Sequence, residues 1–146
     1  MSAYQTVVVG TDGSDSSMRA VDRAARIAGE DAKLIIASAY LPQHEDARAV
    51  DALKNESYKV TGTGPIYEIL HDAKERAHNA GAKNVDDRAI EGAPVDALVQ
   101  LAEEEKADLL VVGNVGLSTI AGRLLGSVPA NVSRKAKVDV LIVHTT

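Results

Sequence analysis

The residues with the most chemical potential in this chain are glycines and one carboxylate. Gly113-Asn114-Val115-Gly116 is followed, after nine residues, by Gly126-Ser127. The apolar run Leu109-Leu110-Val111-Val112 stands directly before it. A short apolar run, then glycines, then a segment able to open a helix at Ser127 reads as strand, loop and helix N-terminus. Without a Cβ, glycine lets backbone N–H groups come close to an anion, and the helix end adds a partial positive charge. Such a loop holds phosphate with amide hydrogens instead of lysines, and it points to a nucleotide. The carboxylate is Asp12 in Gly10-Thr11-Asp12-Gly13-Ser14, which follows the apolar run Val7-Val8-Val9.

Each of these residues also has a plainer role. Gly113 and Gly116 alone would be turn glycines, but the spacing to Gly126-Ser127 and the buried strand before them favour the phosphate reading. Asp12 alone would make an Asx turn or cap the helix that follows. Ser127 suits a helix N-cap, a role compatible with donating to phosphate.

Other chemistries are excluded by what is missing. There is no Gly-Lys-Ser/Thr, so no P-loop lysine reaches a terminal phosphate, and the dinucleotide pattern G-x-G-x-x-G does not follow the first strand. A phosphoacceptor receiver would need a carboxylate at the end of the third strand and an acidic pair after the first, where only Asp12 stands. No Ser-His-Asp spacing with a nucleophile elbow, no carboxylate pair on one element and no metal triad occurs. His71 and His78 lie two helical turns apart, roughly 10 Å, too far to share a metal. His44 and His144 stand apart from them, and Glu103-Glu104-Glu105-Lys106 reads as a solvated helix end. The sequence therefore predicts no catalytic and no metal-ligating residues.

The elements that must position these residues are legible in the hydropathy pattern. Val7-Val8-Val9, Leu34-Ile35-Ile36-Ala37, 85–90, 109–112 and 140–143 are strand candidates. Four are continuously apolar, as strands buried on both faces are; the third carries Asp86, Asp87 and Arg88 and should be more exposed. Ser14 or Asp15 caps a helix with Met18, Val21, Ala25 and Ala28 on one stripe, ended by Gly29. Pro65 starts a second, with Ile66, Ile69, Leu70, Ala73 and Ala77 inward and Gly81 closing it. Pro94 opens a third with Val95, Leu98, Leu101 and Ala102, and a fourth begins near Ser127 with Val128, Asn131, Val132 and Ala136.

The order β-α-β-α-β-α-β-α-β predicts an α/β fold, an open five-stranded parallel sheet with helices on both faces and right-handed crossovers. Ligands of such sheets bind beyond the carboxyl ends of the strands where strand order reverses, so the loops after the first and fourth strands should face one crevice. Residues 41–64, with Pro42 and Gly62-Thr63-Gly64, are too long for a simple connection and read as an insertion with partial helix around 47–58.

The 146 residues suit one domain able to bury a proper core. With no Trp, no Phe and four Tyr, that core must be aliphatic. A formal charge of −5 argues against general nucleic-acid or anionic-membrane binding. The absence of cysteine excludes disulfides and thiolate sites. No apolar run approaches the roughly 20 residues of a membrane span, and a cytoplasmic protein is expected.

Together, Val7-Val8-Val9-Gly10-Thr11-Asp12-Gly13-Ser14, Gly92-Ala93-Pro94, Ala107-Asp108-Leu109-Leu110-Val111-Val112-Gly113 and G-x-x-G-(nine residues)-G-S/T resemble the universal stress protein family from first strand to last. The resemblance implies a small cytoplasmic homodimer of one α/β domain in stress response or signalling, binding an adenine nucleotide. It implies that Gly10, Thr11 and Asp12 meet the nucleoside, with Asp12 near a Mg2+ if ATP is bound, and that Ala39 lines the adenine pocket through its backbone. Gly113, Asn114, Val115, Gly116, Gly126, Ser127 and Val128 would cradle ribose and phosphates, the Ser127 hydroxyl and the Ser127 and Val128 amides donating.

One departure is informative. Relatives often carry Ser and then Arg or His between the first two glycines, where this chain has Asn114-Val115. A cation there is worth a charge-assisted hydrogen bond, roughly 1.5–3 kcal/mol. Without it the chain should prefer AMP or cyclic AMP, or hold ATP only modestly; Arg123 in the spacer is a cation able to restore that charge. The expected function is a non-catalytic nucleotide sensor or sequestering module. The alternatives are a slow Asp12-dependent ATPase or phosphotransfer protein, and an interaction protein with an unused pocket. Val138-Asp139-Val140-Leu141-Ile142-Val143 should be an apolar sheet edge, covered by pairing with a second copy.

Overall fold

The computed structural model describes residues 4–40, 64–114 and 127–144. In chain order these form β1 (Thr6–Gly10), α1 (Asp15–Ala28), β2 (Lys33–Tyr40), α2 (Gly64–Asn79), β3 (Asn84–Glu91), α3 (Pro94–Glu104), β4 (Leu109–Gly113), α4 (Ser127–Lys135) and β5 (Asp139–Val143). The insertion expected at 41–64 lies, apart from Gly64, outside the described residues.

The strands make one parallel sheet in the order β3-β2-β1-β4-β5. Three of the four continuously apolar strands are central, with Val7, Val8, Val9, Leu34, Ile35, Ile36, Leu110, Val111 and Val112 fully buried. The fourth, β5, lies at an edge with a neighbour on one side only, and it is not buried on both faces. Successive side chains of a strand point to opposite faces. Val7, Val9, Leu34, Ile36 and Val111 accordingly pack with residues of α1 and α2. Val8, Ile35, Leu110 and Val112 pack with Leu98 and Leu101 of α3 and Val132 of α4. Alanines at 20, 24, 25 and 28 form the inward stripe of α1 and are wholly buried, which lets the helix lie close on the branched side chains of the strands.

β3 is an edge, paired only with β2, and every one of its residues retains some exposure, as its charges predict. Arg88 Nη1 donates to Asp86 Oδ2 at 2.5 Å and its Nη2 lies 3.6 Å from Glu105, laying a charged cover over this margin of the sheet. α1 and α2 are tied by a fork in which Arg76 Nε and NH2 donate to Asp22 Oδ1 and Oδ2 at 2.8 and 2.9 Å.

The helix ends follow their local chemistry. Ser14 is the N-cap of α1, its hydroxyl accepting from Ser17 N at 3.2 Å. Gly29 ends that helix in the left-handed region at φ 58°, its amide donating to Ala25 O. α3 has no side-chain cap bond from Ala93, and Pro94 supplies its pre-set first turn.

Candidate functional site

The end of β1 is held in register past the strand itself, since Thr11 N donates to Ala37 O at 2.9 Å. The chain then turns sharply into α1 through Gly13, at φ +87°. A Cβ there would stand 3.0 Å from Ile69 Cγ1 of α2, so the conformation favours glycine and a side chain would need Ile69 to give way.

This turn fixes Asp12. One carboxylate oxygen, Oδ1, accepts from Ser14 N at 2.9 Å and from the Ser17 hydroxyl at 3.0 Å. The other, Oδ2, is shielded from solvent and has no hydrogen-bond donor against it among the described residues. A buried carboxylate oxygen left without a donor is costly, by about 1–3 kcal/mol or more. The Asx-turn reading is therefore correct for half of the carboxylate, and the other half remains available.

Gly10, Thr11, Asp12, Ala37, Ala39, Pro94 and Leu98 line a recess here. Its floor is the carboxyl ends of β1 and β2. Its side wall is the first turn of α3, brought into place where Gly92, at φ 134°, donates its amide to Tyr40 O at 2.7 Å. The lining is apolar apart from Thr11 and Asp12.

Four predicted residues, Gly10, Thr11, Asp12 and Ala39, thus meet in one recess. Gly113 and Asn114 end β4 beside β1, at the point of order reversal, because Val9 pairs with Val111 and Gly113 with Val143. They do not line the recess, which opens toward β2 and α3 instead of between β1 and β4. Asn114 N donates to Val143 O at 2.9 Å, and its side-chain amide is 3.5 Å from His144 Nδ1. α4 opens at Ser127 as expected, with Val128 next in its first turn. Val115, Gly116 and Gly126 lie outside the described residues. Among the described residues no group of three or more His, Asp or Glu could hold a metal, and no helix is long and apolar enough to cross a membrane.

Sequence reasoning missed Ala37, Pro94 and Leu98 as lining residues, having assigned them to a strand and a helix stripe. It also missed Ser17. The signal that would have found the α3 wall is Gly92-Ala93-Pro94, whose glycine and proline aim the helix start back over the strand ends.

An open five-stranded parallel sheet with helices on both faces, a recess beyond the carboxyl ends of β1 and β2 and a helix opening after β4 define an α/β domain of the doubly wound kind. The chain belongs to the universal stress protein family, which it matches over residues 3–144. It is 90% identical over 146 residues to universal stress protein Rv1636 of Mycobacterium tuberculosis, covering the whole of both chains. Among solved structures it is similar to a universal stress protein in complex with cAMP, at 63% identity and a TM-score of 0.76, covering 99% of this chain and 100% of that one. It is also similar to protein MJ0577, at 26% identity and a TM-score of 0.75, covering 98% and 97%.

Proposed function

We propose that this chain is an adenine-nucleotide-binding module that senses or sequesters its ligand. The observation that carries the reading is that Asp12, which lines the recess, keeps a buried carboxylate oxygen, Oδ2, with no donor among the described residues. It needs a donor, and a nucleoside supplies one as a ribose hydroxyl. The structure of a 63% identical relative in complex with cAMP supports the same ligand class.

On this reading Ala39 and Leu98 flank the base, Gly10 and Thr11 form the floor, and Asp12 takes the ribose. The phosphate lies against Gly113, Asn114, Val115, Gly116, Gly126, Ser127 and Val128, where glycine amides and the α4 N-terminus offer donors. A carboxylate at one end and an N-terminus at the other orient the ligand, since Asp12 repels a phosphate. Asn114-Val115 carries no cation, so AMP or cyclic AMP is preferred over ATP, and Mg2+ enters only with ATP. The chain acts by binding and not by turnover. Two copies associate through β5, whose Ile142 is 41% exposed at the sheet margin.

Calorimetric titration with cyclic AMP, AMP and ATP tests this. Binding of cyclic AMP or AMP that Asp12→Ala weakens is the expected result. Failure of all three to bind, or ATP tighter by tenfold or more, overturns it. Magnesium-dependent ATP turnover lost in Asp12→Ala would instead favour the enzyme.

A further inference from the structure

Beneath Asp12 lies a group of hydroxyls wholly removed from water: Ser17 is 0% and Thr11 2% exposed. Ser17 Oγ is 3.0 Å from both Asp12 Oδ1 and Ser14 O, and has one proton to give. The carboxylate is the stronger acceptor, because a hydrogen bond to a charged oxygen is roughly twice as strong as one to a neutral carbonyl. Ser17 therefore donates to Asp12. The Thr11 hydroxyl, 2.8 Å away, is then placed to donate to Ser17, whose Oγ also has the amide of Asp12 and the Ser14 hydroxyl as donors at 3.2 Å. Thr11 Oγ1 in turn accepts from Gly13 N at 3.1 Å.

The result is a directed relay, Gly13 N–H to Thr11 to Ser17 to Asp12, in which each bond polarises the next. It terminates on Oδ1 only. With Ser14 N on the same oxygen, Oδ1 takes two donors, while Oδ2 is buried with no donor among the described residues.

We propose that Ser17 is a positioning residue for the nucleotide: it touches no ligand, but aims the Asp12 carboxylate so that Oδ2 is presented to a ligand donor. This rests on the adenine-nucleotide reading above. A buried serine near a helix start often bonds only to the carbonyl three residues back, and Ser14 O offers that bond here. A serine limited to that role would be uncoupled from the ligand, and the test reads this difference.

The test is a double-mutant cycle on cyclic AMP affinity, by calorimetry, with Ser17→Ala, Asp12→Ala and the pair. Ser17→Ala should lower affinity by about tenfold, the effect of losing one properly aimed bond. The double variant should bind no more weakly than Asp12→Ala alone. Additive losses, or wild-type affinity in Ser17→Ala, overturn the proposal. If Ser17→Ala does not fold, Thr11→Val removes the preceding donor and enters the same cycle, where non-additive loss supports the relay and additive loss overturns it. The ligand-free crystal structure of Ser17→Ala separates this from the adenine-nucleotide reading. An Asp12 carboxylate rotated off Ser14 N supports the positioning role, and an unmoved one overturns it, whether or not cyclic AMP binds. Wild-type protein that takes up no adenine nucleotide refutes the adenine-nucleotide reading alone.

Discussion

Thr6 and Asp108 hold each other by two hydrogen bonds: Asp108 N donates to Thr6 O at 3.0 Å, and Thr6 N donates to Asp108 Oδ1 at 3.0 Å. Gln5 N adds a bond to Oδ2 at 2.9 Å. One carboxylate thus clamps the start of β1 to the start of β4, at the opposite end of the sheet from the recess. Partial burial pushes the Asp108 carboxyl up, but the amides of Gln5, Thr6 and Asp108 itself outweigh this and hold it below its ordinary value. A carboxyl depressed in the folded state adds stability above its unfolded pKa, and that stability is lost as pH falls through the folded value. Asp108→Asn should therefore lower the urea midpoint near neutral pH, with the deficit shrinking once the medium is acid enough to protonate Asp108. A deficit that is constant with pH would show that the clamp does not depend on charge.

The strands were legible because short continuous apolar runs mark strands of a parallel sheet, and β3 was legible as an exposed one because it carries Asp86 and Arg88. β5, the other edge, is equally apolar yet partly exposed, and that exposure was not legible in its apolar run. Ser14, Gly29 and Pro94 marked helix ends through backbone chemistry that is local. The walls of the recess were not legible. An apolar residue such as Leu98 has the same signature whether it faces the core or a ligand, and only the crossing of α3 over the end of β2 decides. Ser17 was hidden for a related reason: a serine in the first turn of a helix reads as part of the cap. Its approach to Asp12 depends on the fold of the turn, with Gly13 at its corner. Alternation of strand and helix implied parallel pairing and a site at the strand ends. It did not say that the recess would open toward β2 instead of β4.

A side chain at Gly13 should destabilise the fold. Gly13→Ala places a non-glycine residue at φ +87° with its Cβ 3.0 Å from Ile69 Cγ1. The left-handed conformation alone costs roughly 1–2 kcal/mol. Adding Ile69→Ala should relieve the steric part and leave the conformational part, so the two substitutions will be non-additive in urea unfolding. Simple additivity would show that Ile69 is not the obstacle.

Core and edge should respond differently to truncation. Leu110 is fully buried in β4, and Leu110→Ala should cost about 2–5 kcal/mol of stability. Ile142→Asp, at the margin, should leave the fold intact but shift sedimentation toward the single chain. An unchanged sedimentation coefficient at micromolar concentration would remove β5 as the pairing edge.

The absence of a cation between Gly113 and Gly116 can be reversed. Val115→Arg should tighten ATP relative to cyclic AMP by about tenfold or more, the equivalent of one charge-assisted hydrogen bond to the outer phosphates. Parallel titration of both nucleotides checks this, and equal gains for the two would show that the residue at 115 does not discriminate between them.

The two margins of the sheet are chemically opposite. β3 carries Asp86 and Arg88 in ion pairs, with Glu105 beside them, while β5 presents Val140, Leu141 and Ile142 with little charge. Charge on a margin discourages another strand from adding there, and an apolar margin invites one. On the proposed pairing through β5, growth of the sheet is directional: a second copy joining there leaves β3 as both outer margins, and their charge disfavours a third.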